Sequence, residues 1–365
     1  MRKIEFERDN LKSLKNPLFF KNIENGDLDL ELETEFSNYA SSEYILPTNN
    51  FTSALHLSMC AINLKRGDKV ICSVNSSPEI PEVVRHFDAE PIFIDIEKDS
   101  YKIDLNQLKK VIDENSSKKL KAIIVSHVAG DILNLQDVKD VVKNRNLLIV
   151  EDATNSIGLD REVLDQISDV KVFSFDNKIS NLGLFATDRE DLFERAKLLA
   201  NHGVRYEEDA HLDYIYDVVD IGCQYDVSRL NLIYSIDYLE QVAGDLKTRK
   251  DIAKRYIEDL KNTPHIKIDT FKSDHSYSQF IIKIDKNRDG FAKKLKAVGI
   301  ETKLHYIPLH LLSYYKIKYE LKINSFPNAL RNYQQILSIP IHSMLSHDDV
   351  TYIIKHIKSI AKSRV

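Results

Sequence analysis

Two polar segments of the sequence contain residue types that could bind a charged group. In NNFTSALHLSM (49–59), Asn, Thr and Ser residues come directly before an apolar pattern of helical period, which is typical of a capped helix N-terminus. The free N–H groups and dipole at such an end, with the hydroxyls of Thr52 and Ser53, could bind a phosphate, although capping alone also explains these residues. Asp152 ends the apolar run LLIVED, where a partly buried carboxylate needs a cationic or hydrogen-bonding partner. That partner could be a protonated pyridine nitrogen, a metal or an arginine, or the carboxylate could simply cap the next turn.

The third residue of chemical interest is Lys178, which follows FSFD by two positions. A lysine whose amine is desolvated can act as a nucleophile and form a Schiff base, whereas a solvated surface lysine does neither. A phosphate site, a carboxylate for a ring nitrogen and a Schiff-base lysine are together the three groups that anchor pyridoxal phosphate. If the three segments meet in the fold, the sequence predicts pyridoxal 5'-phosphate as cofactor.

The elements that must position these groups are short apolar runs that alternate with helical patterns between about residues 67 and 190. Such alternation predicts βαβ units, and hence a mostly parallel sheet sandwiched by helices. Ligands gather beyond the C-terminal ends of the strands in such a sheet, which is where Asp152 and Lys178 fall. The predicted strands are VICSV (70–74), PIFIDI (91–96), KAIIVSH (121–127), LLIVED (147–152) and VKVFSF (170–175).

The second half of the chain has a different organisation. From Ser228 to about Leu260 the pattern is helical, and a second set of strand and helix patterns follows it, beginning with SYSQFIIKID. We therefore predict a large cofactor-binding domain over residues 1–240 and a smaller C-terminal α/β domain over 241–365.

Composition narrows the class of protein. The 365 residues carry a formal charge of −5 with both signs interspersed, which offers no basic footprint for nucleic acid or for a membrane surface. No run approaches the length of a membrane span, and the charged start MRKIEFERDN is unlike a signal peptide. The three cysteines are scattered, which favours neither a disulfide framework nor a metal site. We expect a cytoplasmic protein that binds neither metal, nucleic acid nor membrane.

The motifs along the chain resemble, in order, those of the DegT/DnrJ/EryC1/StrS sugar aminotransferases, which are fold-type I pyridoxal-phosphate enzymes. The segment NNFTSALHL resembles the family's N-G-T-A-A-L-H-L, and PIFIDIEKDSYKID resembles P-V-F-V-D-I-D-x-x-T-Y-N-I-D. Further counterparts run nearly from end to end: RGDKVI, SHVAG, VEDATNSIG, LLANHG, IGCQYDVSRLN, HYIPLH and SIPIHSMLSHDDVTYII.

This resemblance implies roles for individual residues. Asp152 would pair with the pyridine nitrogen, Asn155 would lie near the 3-oxygen of the cofactor, and Lys178 would form the Schiff base. Thr52, Ser53 and Ser174 match the residues that hold the phosphate. Ser77 falls where the family stacks an aromatic ring on the cofactor, and Gln224 matches an Asn that reaches the phosphate of the neighbouring subunit. In HYIPLH, the residues His305, Tyr306 and His310 match a segment near the substrate.

Several positions depart from the family pattern around the cofactor. Phe51 replaces the glycine of N-G-T, and Ser77 replaces the stacking aromatic residue. Lys178 follows Phe173 by five residues instead of six, and the G-E-G-G turn after it is shortened and keeps only Gly183. A shift of about 1 Å in a catalytic group can cost a factor of 10² in rate.

The resemblance implies a homodimer with shared active sites. It also implies transfer of an amino group, from L-glutamate, to a keto carbon of a nucleotide-linked deoxysugar in glycan or surface-polysaccharide biosynthesis. Two alternatives remain because of the departures. One is a homologue that binds the cofactor or a preformed sugar adduct without the lysine linkage and runs a dehydration. The other is a non-catalytic sugar-binding or partner subunit.

Overall fold

The chain forms a large mixed sheet and a small antiparallel sheet, with a long helix running from one to the other. The structure is a computed structural model that describes residues 2–7, 28–115, 117–143, 145–159, 167–175, 181–206 and 215–363. The helices are α1 Leu28–Ala40, α2 Phe51–Ala61, α3 Glu79–His86, α4 Leu105–Glu114, α5 Leu135–Val142, α6 Glu190–Leu199, α7 Arg229–Leu260, α8 Arg288–Ala297, α9 Ser313–Lys318, α10 Pro327–Gln335 and α11 His347–Lys362. The strands are β1 Tyr44–Thr48, β2 Lys69–Ser73, β3 Glu90–Ile94, β4 Leu120–Ser126, β5 Leu148–Asp152, β6 Val170–Ser174, β7 Gly183–Thr187, β8 Val204–Tyr206, β9 Tyr216–Val218, β10 Ile266–Lys267, β11 Phe280–Ile284 and β12 Ile336–Ile339.

The large sheet has the strand order β1-β7-β6-β5-β4-β2-β3. Strands β2 to β6 pair in parallel, while β7 is antiparallel to both β1 and β6. All five strands predicted from the apolar runs are present, so the prediction of a mostly parallel sheet is confirmed. Strands β1 and β7 were not among the predicted runs.

Helices cover both faces of this sheet because its strands are apolar on both sides. On β2, Val70 and Cys72 face a core that also contains α2, α3 and α6, while Ile71 faces a second core with α4 and α5. The same alternation recurs on β4, as the period of two along a strand requires. Full burial of each large aliphatic side chain contributes roughly 1.5–3 kcal/mol relative to exposure, so the two cores fix the sheet and the loops at its edge.

The long helix α7 connects the two sheets. Its C-terminal half packs with α8 and α11 against the small sheet β10-β11-β12, where Tyr256 is fully buried and donates its hydroxyl to the Pro340 carbonyl. The architecture therefore matches the predicted fold class, a large α/β layer structure with a smaller C-terminal α/β part. The predicted boundary near residue 240 falls within α7 and stays a prediction. Among the described residues, no helix is both long and apolar enough to cross a membrane.

Candidate active site

Asp152 stands at the C-terminal end of β5, next to Ser126 at the end of β4. Its side chain is buried, and its Oδ1 accepts a hydrogen bond from the Thr154 backbone N–H at 3.2 Å. Burial raises the pKa of the Asp152 carboxyl, against hydrogen bonds from Thr154 and Ser126 that lower it. A carboxylate under this desolvation is stabilised by a cationic hydrogen-bond donor.

Asn155 lies three residues beyond Asp152 and is hydrogen-bonded by residues 276–279, the segment that leads into strand β11 of the small sheet. Its side-chain Oδ1 accepts from the Ser278 hydroxyl at 3.0 Å and from Gln279 Nε2 at 3.4 Å. Its backbone carbonyl accepts from the buried Ser276 hydroxyl. Since Oδ1 is occupied by donors, the Asn155 amide nitrogen is directed to donate elsewhere.

Gly130 makes the contact between these segments possible. It has φ +89°, and a Cβ at this position would overlap the Ser276 hydroxyl and come within 3.1 Å of the Asn155 carbonyl oxygen. The Gly130 carbonyl also accepts from the Ser276 backbone N–H at 3.0 Å. A residue without a side chain is therefore required where the two halves of the chain meet beside Asn155.

The predicted phosphate-binding groups lie at the start of α2. Asn50 caps this helix, its Oδ1 accepting from the Ser53 backbone N–H at 2.9 Å, and Thr52 and Ser53 occupy the first turn. Phe51 is buried in the core, so the helix begins here without the family's glycine.

Ser174, which ends β6, is brought towards this helix start by Gly183. Gly183 is the register partner of both Ser174 and Thr48, and a Cβ on it would overlap the Asn50 carbonyl. The close passage of β7 beneath the start of α2 explains why this one glycine of the shortened turn is kept.

Two further predicted cofactor residues lie at the rim. Ser77 is half-buried just before α3 and donates its hydroxyl to Glu79 at 2.9 Å. Gln224 is exposed to solvent, and its side-chain Nε2 donates to Asp226 Oδ2 at 2.6 Å.

The residues of HYIPLH separate into two groups. Tyr306 lies beside the cofactor region: burial and the negative charge of Asp152 raise the pKa of its hydroxyl, and a hydrogen bond with Asn155 opposes this shift. His305 is buried behind it, with Nδ1 at 2.8 Å from the Ser338 hydroxyl, and burial lowers its pKa to about 4. His310 is fully buried, packs against Phe326 and bonds the Ile323 carbonyl through Nε2 at 3.1 Å.

A buried network behind Asp152 was not predicted to belong to the site. His127 Nε2 lies 3.0 Å from Glu151 Oε1, and the Ser168 hydroxyl donates to Glu151 Oε2 at 2.6 Å. Because the Leu133 N–H donates to His127 Nδ1 at 3.0 Å, the ring proton belongs on Nε2 and is donated to Glu151. Burial raises the pKa of Glu151, but the hydrogen bonds from His127 and the Ser168 hydroxyl and the positive charge of Lys171 bring it below its usual range.

Sequence reasoning missed four other polar groups at this site, namely Asn75, Ser276, Ser278 and Gln279. The run SYSQF was interpreted only as the beginning of a strand, and the signal available was its three closely spaced polar residues before an apolar run. Lys178 lies outside the described residues. Among the described residues, no group of three His, Cys, Asp or Glu side chains could hold a metal ion.

The donors and acceptors present fit pyridoxal phosphate. Asp152 offers an acceptor to a ring N–H, and Asn155 offers a donor to a ring oxygen. Among the buried side-chain atoms without a hydrogen-bond partner in the described part of the chain are Asn75 Nδ2 and Gln279 Oε1. Asn75 Oδ1 accepts a hydrogen bond from the Tyr306 backbone N–H, and Gln279 Nε2 donates to Asn155 Oδ1. Buried polar atoms without partners are uncommon, and a polar ligand between these residues could satisfy both.

Comparisons with known proteins identify the family. Residues 5–358 match the family model of the DegT/DnrJ/EryC1/StrS aminotransferase family. An uncharacterized protein of Methanocaldococcus jannaschii is 31% identical over 91% of this chain and 89% of its own length. The spore coat polysaccharide biosynthesis protein SpsC of Bacillus subtilis is 26% identical over the same two shares.

Solved structures share the fold. Spr1654 from Streptococcus pneumoniae, described as a sugar aminotransferase and solved in its PMP form, superposes with a TM-score of 0.89, 22% identity and coverage of 99% of each chain. A DegT DnrJ EryC1 StrS aminotransferase from Brucella abortus superposes with a TM-score of 0.85, 25% identity and coverage of 96% of each chain. The family and the fold predicted from the sequence are thereby confirmed. The chain belongs to the DegT/DnrJ/EryC1/StrS aminotransferase family.

Proposed function

We propose that this protein is a pyridoxal-phosphate-dependent aminotransferase that places an amino group on a keto carbon of a nucleotide-linked deoxysugar. The observation that carries the proposal is the desolvated carboxylate of Asp152, set beside an Asn155 side chain whose Oδ1 is already engaged by Ser278. A buried carboxylate next to an oriented amide donor suits an aromatic ring that carries a protonated nitrogen and an oxygen substituent.

Asp152 would accept a hydrogen bond from the ring N–H and keep that nitrogen protonated. Asn155 would donate to the ring oxygen, and Tyr306 would close the same side of the pocket. Thr52, Ser53 and Ser174 would hold the phosphate, because the start of α2 offers backbone N–H groups, hydroxyls and the positive end of the helix dipole. Ser77 would lie over the ring in place of an aromatic partner.

The cofactor, when bound, supplies an electron sink for negative charge at the substrate carbon. Lys178 would hold the cofactor covalently and, once released from it by the substrate amine, would move a proton at the reacting carbon. Tyr306 would line the sugar side of the pocket, with His305 behind it. His305 is neutral at pH 7, since burial lowers its pKa to about 4, and it would act there as a hydrogen-bonding group. His310 would support this segment by packing.

The amino donor in this proposal is L-glutamate, and the product is an amino sugar for glycan or surface-polysaccharide synthesis in the cytoplasm. SpsC, which is described as a spore coat polysaccharide biosynthesis protein, supports the pathway class.

The half-reaction with the donor tests this function. Protein loaded with pyridoxal phosphate should convert L-glutamate stoichiometrically to 2-oxoglutarate and take up the amino group as pyridoxamine phosphate. A nucleotide-linked keto sugar should then remove that amino group and restore the original spectrum. Asp152→Asn should slow the half-reaction by at least a factor of 10², while Asp140→Asn on the exposed face of α5 should leave it unchanged. A loaded protein that deaminates no amino acid would instead support the dehydratase or non-catalytic alternative.

We infer in addition that the active form is a homodimer. The hairpin β8–β9 and the segment after it expose apolar side chains around Gln224, and Ile221 is 90% exposed. Covering such a patch is favourable by roughly 25 cal/mol per Å² of apolar surface. If Gln224 reaches the neighbouring subunit's phosphate, Ile221→Lys should shift sedimentation towards the monomer and weaken cofactor binding. Ile317→Lys, at a position that is 78% exposed on α9, is the matched control and should do neither.

A further inference from the structure

A second pocket, away from the cofactor site, is lined by more positive than negative charge. It has a volume of about 360 Å³ and lies between the loop after β3, the strands β10 and β11, and helix α10. Its cations are Lys98, Lys267, Lys283 and Arg331. Lys283 follows Gln279 by four residues of nearly extended chain, which is about 13 Å at ~3.3 Å per residue. The basic pocket is therefore separate from the groups around Asn155.

Lys283 is the buried member of this set, with 7% of its surface exposed. Its Nζ donates to the Asp99 backbone carbonyl at 3.1 Å and lies 5.5 Å from the centre of the Tyr101 ring. The carbonyl and the ring are both uncharged, and the Asp99 carboxylate lies beyond ion-pair distance of Nζ. Burial lowers the pKa of Lys283, and the positive charges of Lys267 and Arg331 lower it further, against Asp269 and Asp99. A buried ammonium group without a paired anion is costly, and an anion in the pocket would remove that cost.

The remaining charges do not neutralise the pocket. Asp99 and Asp285 are the two carboxylates on its wall, and Asp285 is already bonded to His265 Nδ1 at 2.7 Å. Among the described residues, none of the four cations forms an ion pair within 4.0 Å. Four positive charges thus face two carboxylates on the wall, with Asp269 as a third carboxylate near Lys283, on a chain whose formal net charge is −5.

We propose that this basic pocket binds a small phosphorylated molecule carrying two or more negative charges. A guanidinium group and several ammonium groups around one space suit phosphate oxygens, and a cavity of about 360 Å³ is in the range of small-molecule sites. Gln335 and Asn332 add amides at the wall. The proposal goes beyond the aminotransferase function and does not depend on it. Because the walls come from both sheets, the ligand would also tie the small sheet to the loop after β3.

Inorganic pyrophosphate is the probe, titrated calorimetrically into protein saturated with pyridoxal phosphate so that the cofactor's own phosphate site is filled. We expect saturable binding that weakens at least tenfold in Lys283→Met and in Arg331→Gln. Lys109→Met, which removes an exposed lysine of α4, should bind pyrophosphate as the unaltered protein does. No binding to the unaltered protein, or equal binding in all variants, would overturn the proposal.

Stability separates a ligand-binding role of Lys283 from a structural one. Methionine fills a similar volume without the desolvated charge, so without pyrophosphate the Lys283→Met variant should melt at the same temperature as the unaltered protein or higher. Added pyrophosphate should no longer raise that melting temperature. A structural role for the bond to the Asp99 carbonyl predicts the reverse, a lower melting temperature with pyrophosphate binding retained. Arg331 lies exposed on α10, so its variant tests binding even if Lys283→Met fails to fold.

Discussion

The contact of Gly130 with Ser276 gives the sharpest quantitative prediction for the candidate active site. Gly130→Ala introduces a Cβ that overlaps the Ser276 hydroxyl at φ +89°. Adopting a left-handed conformation costs an alanine about 1–2 kcal/mol. If the Ser276 hydroxyl rotates away, the buried Asn155 carbonyl loses its donor at a further cost of about 1–3 kcal/mol. We expect a total loss of about 2–5 kcal/mol in the free energy of unfolding.

Gly67→Ala is the matched control. Gly67 also has positive φ, +75°, but a Cβ there would meet nothing within 4 Å. It should therefore lose only the conformational cost of about 1–2 kcal/mol. Urea unfolding followed by circular dichroism measures both variants, and equilibrium dialysis measures pyridoxal-phosphate binding. Gly130→Ala should weaken pyridoxal-phosphate binding because Asn155 moves, whereas Gly67→Ala should leave that binding unchanged.

A double-mutant cycle with Ser276→Ala tests the cause. Both single changes remove the same hydrogen bond to Asn155, so the double variant should be less destabilised than the sum by about 1–3 kcal/mol. Equal destabilisation by Gly130→Ala and Gly67→Ala, or strict additivity in the cycle, would refute the assignment of Gly130 as the residue that admits Ser276.

The remaining predictions concern three charged or titratable groups. Asp152→Asn should reduce pyridoxal-phosphate affinity in dialysis by roughly 10- to 100-fold, the equivalent of a charged hydrogen bond. Burial raises the Asp152 pKa, which means that the ionised carboxylate destabilises the folded protein at pH 7. Without cofactor, Asp152→Asn should therefore unfold at the same urea concentration as the unaltered protein or at a higher one. A large loss of stability would contradict the desolvated carboxylate. Glu151 has a lowered pKa, so its contribution is present above the unfolded value of about 4.3 and is lost as pH falls through the folded value. Glu151→Gln should cost about 1–3 kcal/mol at pH 7 and much less under acid conditions; a loss independent of pH would count against the His127 pairing. His305 has a folded pKa of about 4, so the free energy of unfolding should decrease as pH falls from about 6.5 to 4. His305→Gln should flatten that part of the pH–stability curve. An unchanged slope would show that the ring is not buried in its neutral form.

The fold was predictable where local pattern determines it. Runs such as KAIIVSH are apolar on both faces of a strand, and only a strand covered by helices on both sides needs this, so the parallel strands followed from the sequence. The antiparallel direction of strand β7 did not follow from the sequence. Its residues, GLFAT, are as apolar as the parallel strands beside it, and the hydrophobic period does not depend on strand direction. Strand β1 contains Pro47, which weakens a strand prediction.

The site was predictable to the same extent. Asp152 was identifiable because a carboxylate at the end of a buried strand is costly without a partner, and that argument needs only local sequence. Ser276, Ser278 and Gln279 were not identifiable, since they lie more than 120 positions from Asn155 and reach it only through packing of the small sheet. Phe51 replaces the glycine of the family motif, and the structure shows what the motif comparison could not: its ring is buried in the core and Asn50 caps the helix.

We propose that this chain uses pyridoxal phosphate through a covalent link to Lys178. The direct measurement is borohydride reduction of the purified protein after incubation with pyridoxal phosphate, followed by peptide mass spectrometry. We expect a visible absorption band that is lost on reduction, a stable cofactor adduct on the peptide containing Lys178, and neither in Lys178→Ala. Cofactor that binds reversibly but leaves no adduct on that peptide would contradict it.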